Sequence, residues 1–454
     1  MRAPLSLVLA AAILTIRPSD RLSAQTAQSY PSTANRLIDA ALRDSAAWQK
    51  LARLTDTFGH RLSGSEALER AIDWMLAEMR REGLDSVRGE PVMVPRWVRG
   101  EERAELVVPR PLRLPMLGLG GSIGTPQEGI TAEVLVVSSF ADLEKQAGRA
   151  RGKIVLFDVP FTSYGATVQY RGNGAVAAAR AGAVAALVRS VGPYSLRTPH
   201  TGGMGYDASV PKVPAAAITS EDAAMLHRMQ DRGERVVVRL RMGARSEADV
   251  QSRNVVAELR GREHPEQVVV MGGHTDSWDV GQGAQDDAGG VVAAWEALRL
   301  IKALGLQPRR TIRVVGWTNE ENGLRGGLAY RDQHAAELTD HVVAIESDGG
   351  IFKPVGFGFT GSDSARAILR EVVRLLERLD ADSLLAGGGG ADIGPIMQRG
   401  VPGMSHVTEG DYFWYHHTDA DTVDKVDPRD LARSVAMMAV MAYVLADMPT
   451  RLPR

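Results

Sequence analysis

The sequence predicts an α/β fold: a three-layer αβα domain with a mostly parallel mixed sheet, interrupted by a strand-rich insert. Three observations carry this. After Ser246, short apolar runs alternate with helical segments, the pattern of an open, largely parallel sheet covered by helices. Between about Glu101 and Ser246 the texture differs, with short apolar runs set between Gly- and Pro-rich turns. Finally, 454 residues with 44% hydrophobic and 24% charged side chains suffice for a large core and about three domain-sized units.

Taken in order, Met1-Arg2, the apolar run Leu5–Ile16 and the polar Arg17-Pro18-Ser19 read as a secretory signal cut near Ala24. The run is short of the roughly 20 residues a spanning helix needs. Residues 66–83 read as a helix, with Leu68, Ile72, Met75, Leu76 and Met79 on one face, a capping box from Ser63 and Glu66, and Gly83 as the stop. An extended stretch from Pro91 to Trp97 comes next. In the insert, Glu133–Val137, Lys153–Phe157, Val184–Val188 and Val236–Leu240 read as strands and Gly174–Ala183 as a helix. Beyond it, strands are expected over Asn254–Leu259, Gln267–Met271, Ile312–Trp317, Val342–Glu346 and Val355–Phe359. One helix begins near Asp287 and buries Val291, Trp295, Leu298 and Ile301; another begins after Ser362 and buries Ile368, Val372, Leu375 and Leu379. Trp278 and Trp414 read as core packing.

Composition narrows the chemistry. Lys+Arg 53 against Asp+Glu 55 gives a net charge of −2, which offers no nucleic-acid surface. With no cysteine, disulfides, thiolate metal sites and cysteine nucleophiles are excluded. Any metal must be held by Asp, Glu and the 10 histidines.

In open α/β sheets ligands bind beyond the carboxyl ends of the strands, so the residues just after each apolar run matter most. Gln267–Gly273 ends in His274-Thr275-Asp276. Ile312–Trp317 ends in Thr318-Asn319-Glu320-Glu321. Val342–Ile345 ends in Glu346-Ser347-Asp348. Asp286-Asp287, inside Gly283–Gly290, stands before a helix, and Tyr415-His416-His417-Thr418 precedes Asp421-Thr422. One such cluster alone reads as solvated acids; their joint placement points to divalent cations. Imidazole and carboxylate donors without thiolate suit zinc, with manganese or cobalt as alternatives. Two metals about 3.5–4 Å apart need one His and one carboxylate each, one shared carboxylate, and a spare carboxylate as base. The clusters supply that inventory.

These motifs, together with Ser277-Trp278-Asp279-Val280-Gly281-Gln282, Gly387–Gly390 before Ala391-Asp392, and Gly400-Val401-Pro402-Gly403, resemble the co-catalytic di-zinc exopeptidases, and within them the plasma glutamate carboxypeptidase type. The resemblance runs from about residue 35 to 447. With residues 1–24 as the signal, it implies 25–100 as the first part of the catalytic domain, 101–246 as an inserted protease-associated domain and 247–454 as the rest of the catalytic domain. It implies two zinc ions per chain, His274 and Asp348 on one, Glu321 and His417 on the other, and Asp286 bridging, with a cis peptide after it. His417 is preferred to its neighbour His416 because the family's ligand directly precedes Thr or Ser. Glu320 would be the general base toward a metal-bridging water, and Asp276 would hold His274 through its second ring nitrogen, a partner metal-bound imidazoles generally have.

The signal points to a secreted or periplasmic enzyme, and the resemblance implies that it hydrolyses dipeptides or short peptides with free termini. The resemblance also implies homodimer formation; the charge balance argues for no nucleic-acid partner, and the lack of a later uncharged stretch of spanning length for no stable membrane insertion once the signal is removed. Tyr415, His416 and the Ala386–Asp392 loop are the expected substrate walls. Two rivals share the fold: a glutaminyl-cyclase-like acyltransferase, which keeps one metal, and a transferrin-receptor-like binding protein, which lacks several ligands.

Overall fold

The computed structural model describes residues 30–454. The segment read as a signal, residues 1–24, lies outside the described residues. In chain order the strands are β1 (Asp85–Val98), β2 (Glu102–Val108), β3 (Leu112–Leu114), β4 (Met116–Gly118), β5 (Ile130–Val137), β6 (Ile154–Phe157), β7 (Ala185–Arg189), β8 (Ala215–Ile218) and β9 (Val237–Met242). Then come β10 (Arg245–Leu259), β11 (His264–His274), β12 (Arg310–Trp317), β13 (His341–Glu346), β14 (Lys353–Thr360), β15 (Ser383–Ala386) and β16 (Gly403–Glu409).

They form two eight-stranded sheets. The first has the order β1-β10-β12-β11-β13-β16-β14-β15, the second β3-β2-β9-β5-β6-β7-β8-β4. In the first, β12, β11, β13 and β16 run parallel at the centre, while β1, β10 and β14 pair antiparallel toward the edges. The chain leaves this sheet after β1 and returns as its partner β10, so everything between them is an insertion built on its own sheet.

Strand side chains alternate between faces, which makes the first sheet the middle of three layers. Val255, Val269, Met271, Ile312 and Val314 face one side, under the helices Pro31–Arg43, Ala46–Phe58, Glu66–Arg81, Gly289–Ala303, Asp363–Val373 and Pro428–Asp447. Val256, Val268, Val270, Val315 and Trp317 face the other side, against Tyr330, Ile393 and Ile396. Gly272 allows close strand packing: a Cβ there would lie 1.9 Å from the Val315 carbonyl oxygen.

Three expectations change. The helix Glu66–Arg81 is capped by Ser65, whose hydroxyl accepts the Leu68 N–H at 3.2 Å; Ser63 instead accepts from Asn319 Nδ2 at 2.8 Å. The insert's first long helix spans Tyr164–Arg180, ten residues earlier than its apolar C-terminal part suggests, with Ser163 as its cap. The helix after Ser362 is α-helical to Val373 and tightens to a 3-10 turn over Arg374–Leu379. The helix Pro428–Asp447 is buried almost all round, so its apolar residues carry no helical period to read. Among the described residues no helix is long and apolar enough to cross a membrane.

Candidate metal centre

Three adjacent parallel strands deliver acidic or imidazole groups at the same end of the sheet. His274 is the last residue of β11 and pairs in register with Trp317, the last of β12. Glu320 and Glu321 come shortly after that tryptophan. Asp348 comes just after β13, whose last residue Glu346 is in register with Gly272. Asp286 comes from the turn before the helix Gly289–Ala303, and His417 from the loop after β16.

The structure brings His274, Asp286, Glu321, Asp348 and His417 together. His274 Nε2 lies 3.2 Å from Asp286 Oδ1 and 3.4 Å from Asp348 Oδ1. His417 Nε2 lies 3.2 Å from Asp286 Oδ2 and 3.0 Å from Glu321 Oε2. The two oxygens of one carboxylate therefore face two different imidazoles, each paired with a second carboxylate. Asp286 Oδ2 is buried without a hydrogen-bond donor. Burial, then the Asp286 charge, pushes the Glu321 carboxyl up to about 7. Such crowding of carboxylates out of water is unfavourable unless a cation joins them. The donor set, two imidazoles and three carboxylates without sulfur, fits zinc.

Two neighbours also come within ligand range. Donor atoms of Asp286, His416 and His417 lie within 4.8 Å of one another, as do those of His274, Asp287 and Asp348. Asp287, however, has both oxygens engaged: Oδ2 accepts the His274 N–H at 3.0 Å and Oδ1 the Gly290 N–H at 3.1 Å. It anchors backbone. His416 stacks on His417 with ring centroids 3.5 Å apart, and its Nε2 is 3.7 Å from Asp286 Oδ2. The Asp286-Asp287 peptide is cis.

The role expected of Asp276 divides in two. His274 Nδ1 lies 2.9 Å from the Asp276 main-chain oxygen, while the carboxylate is 3.7 Å away. The carboxylate instead accepts the N–H groups of Glu320 at 3.1 Å and Glu321 at 3.4 Å. A residue two positions along the same strand end turns its carbonyl back to the ring, and its side chain reaches the neighbouring loop. Glu320, half-buried beside Asp348, Glu321 and Asp286, has its carboxyl raised well above the usual range, chiefly by burial.

Several supports were not legible in the sequence. Asp421 accepts the N–H groups of Ala284 (3.1 Å), Gln285 (2.7 Å) and Asp286 (3.1 Å). Buried Arg61 donates to the carbonyls of Gly59, Thr275, Gln282 and Gly283. Together they hold the turn that presents Asp286. Glu346, pushed up to about 7 by burial and then by Asp348, accepts from Asp392 and Ile393 N–H. Gly390 allows this, since a Cβ there would lie 2.1 Å from the Glu346 carboxyl carbon.

The expected substrate walls are placed unevenly. His416 faces the centre. Tyr415 is half-buried and contributes its carbonyl, which accepts from Thr418 Oγ1 at 2.7 Å; the tyrosines whose rings pack on His416 are Tyr412 and Tyr164, each 5.1 Å away. Trp278 is buried in the small apolar cluster of Leu62, Trp97, Leu117, Ala244 and Val280, as expected, and this cluster borders the centre: the Trp278 ring packs on His417 and the Trp278 main-chain N–H donates to Glu321 Oε1 at 3.2 Å. Trp414 is 39% exposed and meets Tyr194 of the insert edge-on, which corrects the core reading.

Residues 254–442 match peptidase family M28. The chain is 50% identical over 430 residues to carboxypeptidase Q of Xenopus laevis, covering 94% of this chain and 92% of that one. It is 50% identical over 408 residues to carboxypeptidase Q of Homo sapiens, covering 90% and 86%. The crystal structure of a peptidase M28 precursor from Shewanella amazonensis is similar at 37% identity and TM-score 0.90, over 95% of this chain and 99% of that one. A zinc aminopeptidase from Bacillus subtilis shares the fold at 20% identity and TM-score 0.67, over 89% and 96%. The chain belongs to peptidase family M28, in its carboxypeptidase Q branch, and is a metallo-exopeptidase.

Proposed function

We propose that the chain is a zinc-dependent exopeptidase that hydrolyses dipeptides or short peptides with free termini, and that it holds two zinc ions. The observation that carries this is the shared carboxylate of Asp286, with one imidazole on each oxygen and a further carboxylate beyond each imidazole. His274 and Asp348 would hold one ion, His417 and Glu321 the other, and Asp286 both. When bound, zinc supplies Lewis acidity and acidifies water from a pKa of about 15.7 to about 7.

The remaining work falls to side chains. Glu320 takes a proton from the attacking water as its oxygen bonds to the scissile carbonyl carbon. The C–N bond then breaks, and Glu320 returns that proton to the leaving amine. Asp276 fixes this base by holding the backbone of Glu320 and Glu321. His416 and Tyr412 flank the place where substrate enters.

Residues 101–246 are read as a protease-associated domain and residues 1–24 as an export signal that sends the enzyme to the periplasm or outside the cell, where it works as a homodimer. The experiment is a panel of dipeptides in free, N-acetylated and C-amidated forms. Hydrolysis of the free forms, with loss on blocking a terminus, is expected. Equal hydrolysis of all forms, or cyclisation of N-terminal Gln instead, would overturn the reading.

A further inference from the structure

A zinc-binding imidazole coordinates through one nitrogen and donates the N–H of the other to an acceptor, which fixes its tautomer and plane. For His274 that acceptor is the Asp276 carbonyl, on the same strand end. For His417 it comes from the other sheet unit: Nδ1 lies 3.3 Å from the carbonyl oxygen of Thr201, in the segment between β7 and β8. The contact is two-sided, because the Thr201 N–H donates to the His417 carbonyl at 2.9 Å.

Thr201 is itself held. Arg171, on the helix Tyr164–Arg180, donates from Nη1 to the Thr201 oxygen at 3.1 Å and from Nη2 to the Tyr164 hydroxyl at 2.7 Å. The Thr201 hydroxyl donates to the Gly118 carbonyl at 2.8 Å. Gly202, at φ +135, lets the guanidinium lie against the loop; a Cβ there would come 2.3 Å from Arg171 Cζ. Arg171 Nη1 is also 3.3 Å from His417 Nδ1. Guanidinium is a donor only. Bonding to Nδ1 would require a lone pair there and would move the ring proton to Nε2, the nitrogen a metal needs bare. The Thr201 oxygen receives both donors and removes the conflict.

We infer that Arg171 and the Thr201 carbonyl are positioning groups for His417, so that the inserted unit completes one of two metal subsites. This rests on the proposed ligand role of His417. It gives the insert a part in metal binding itself, separate from access or substrate recognition.

The test is zinc affinity of the full chain by chelator competition, resolving both ions, for the unaltered protein, Arg171→Met and Tyr164→Phe. Tyr164→Phe removes only the hydroxyl that holds the guanidinium and covers the case in which Arg171→Met fails to fold. One ion bound about 10–100-fold more weakly in Arg171→Met, and several-fold more weakly in Tyr164→Phe, with the other ion unchanged, is expected. Unchanged affinities for both ions, or equal weakening of both, would overturn the inference. Fewer than two ions in the unaltered protein would instead overturn the underlying two-zinc reading.

Discussion

At the scale of single residues, adjacent side chains of the same type do different work, and backbone geometry decides which. Asp286 offers both oxygens to imidazoles, whereas Asp287 spends both on main-chain N–H groups. Glu321 faces His417 and Glu320 does not pair with a histidine. Glu320→Gln should therefore keep fold and zinc but lower turnover about 10²–10⁴-fold; steady-state kinetics with metal analysis would show it, and unchanged turnover would remove Glu320 as the base. His417→Ala should lose one zinc per chain, while His416→Ala should retain two, because of these two adjacent residues it is His417 whose Nε2 lies between two carboxylates. Metal analysis of the two variants decides between them. The sequence pattern leads to the clusters, and the family resemblance to His274, Asp286, Glu321, Asp348 and His417 within them, but motif spacing is blind to main-chain acceptors. It could not show that Asp276 serves His274 by its carbonyl, or that Thr201, more than 200 residues from His417, serves it at all.

At the scale of elements, the centre exists because β12, β11 and β13 are neighbours running the same way. Their register brings three strand ends to one end of the sheet, and Gly272 sets how closely they approach. Gly272→Ala would press a methyl into the Val315 carbonyl. Overpacking of this kind costs about 1–3 kcal/mol, read as a lower urea midpoint at unchanged slope; an unchanged midpoint would show that the strands separate freely. Strands with continuous Val and Ile runs were legible, as was the helix Gly289–Ala303 with its apolar face. Pro31–Arg43 and Ala46–Phe58 are helices that no such reading reached, and Pro428–Asp447 is apolar on every side. Its burial between the helices Pro31–Arg43 and Gly289–Ala303 is a tertiary fact, without a period in the sequence.

At the scale of the whole molecule, two sheets meet at the metal centre, and buried titratable groups beyond it tie stability to pH. His341, at the start of β13, accepts from the Tyr330 hydroxyl at 2.9 Å and lies 3.0 Å from the Glu337 carbonyl. Burial lowers its pKa from 6.5 to about 4. The unfolded chain then takes up a proton near pH 6.5 that the folded chain refuses until about 4. This group adds nothing above pH 6.5 and destabilises the fold progressively as pH falls toward 4. Denaturant unfolding at pH 7 and 5 should show a smaller loss in His341→Gln than in the unaltered protein; equal losses would mean the histidine titrates normally. A change in texture near residues 101 and 246 carries no information on what lies beside His417; the closeness of the insert to that residue emerges only from the fold.

Peptidase activity of this chain is proposed to depend on two zinc ions gathered around Asp286. That dependence is tested most directly by counting zinc per chain while dipeptide hydrolysis is monitored through a chelator titration. Two zinc ions per chain, with activity lost as they leave and regained on adding zinc, is the expected result. Hydrolysis that persists after both ions are gone, or a fully active chain that never held them, would contradict it.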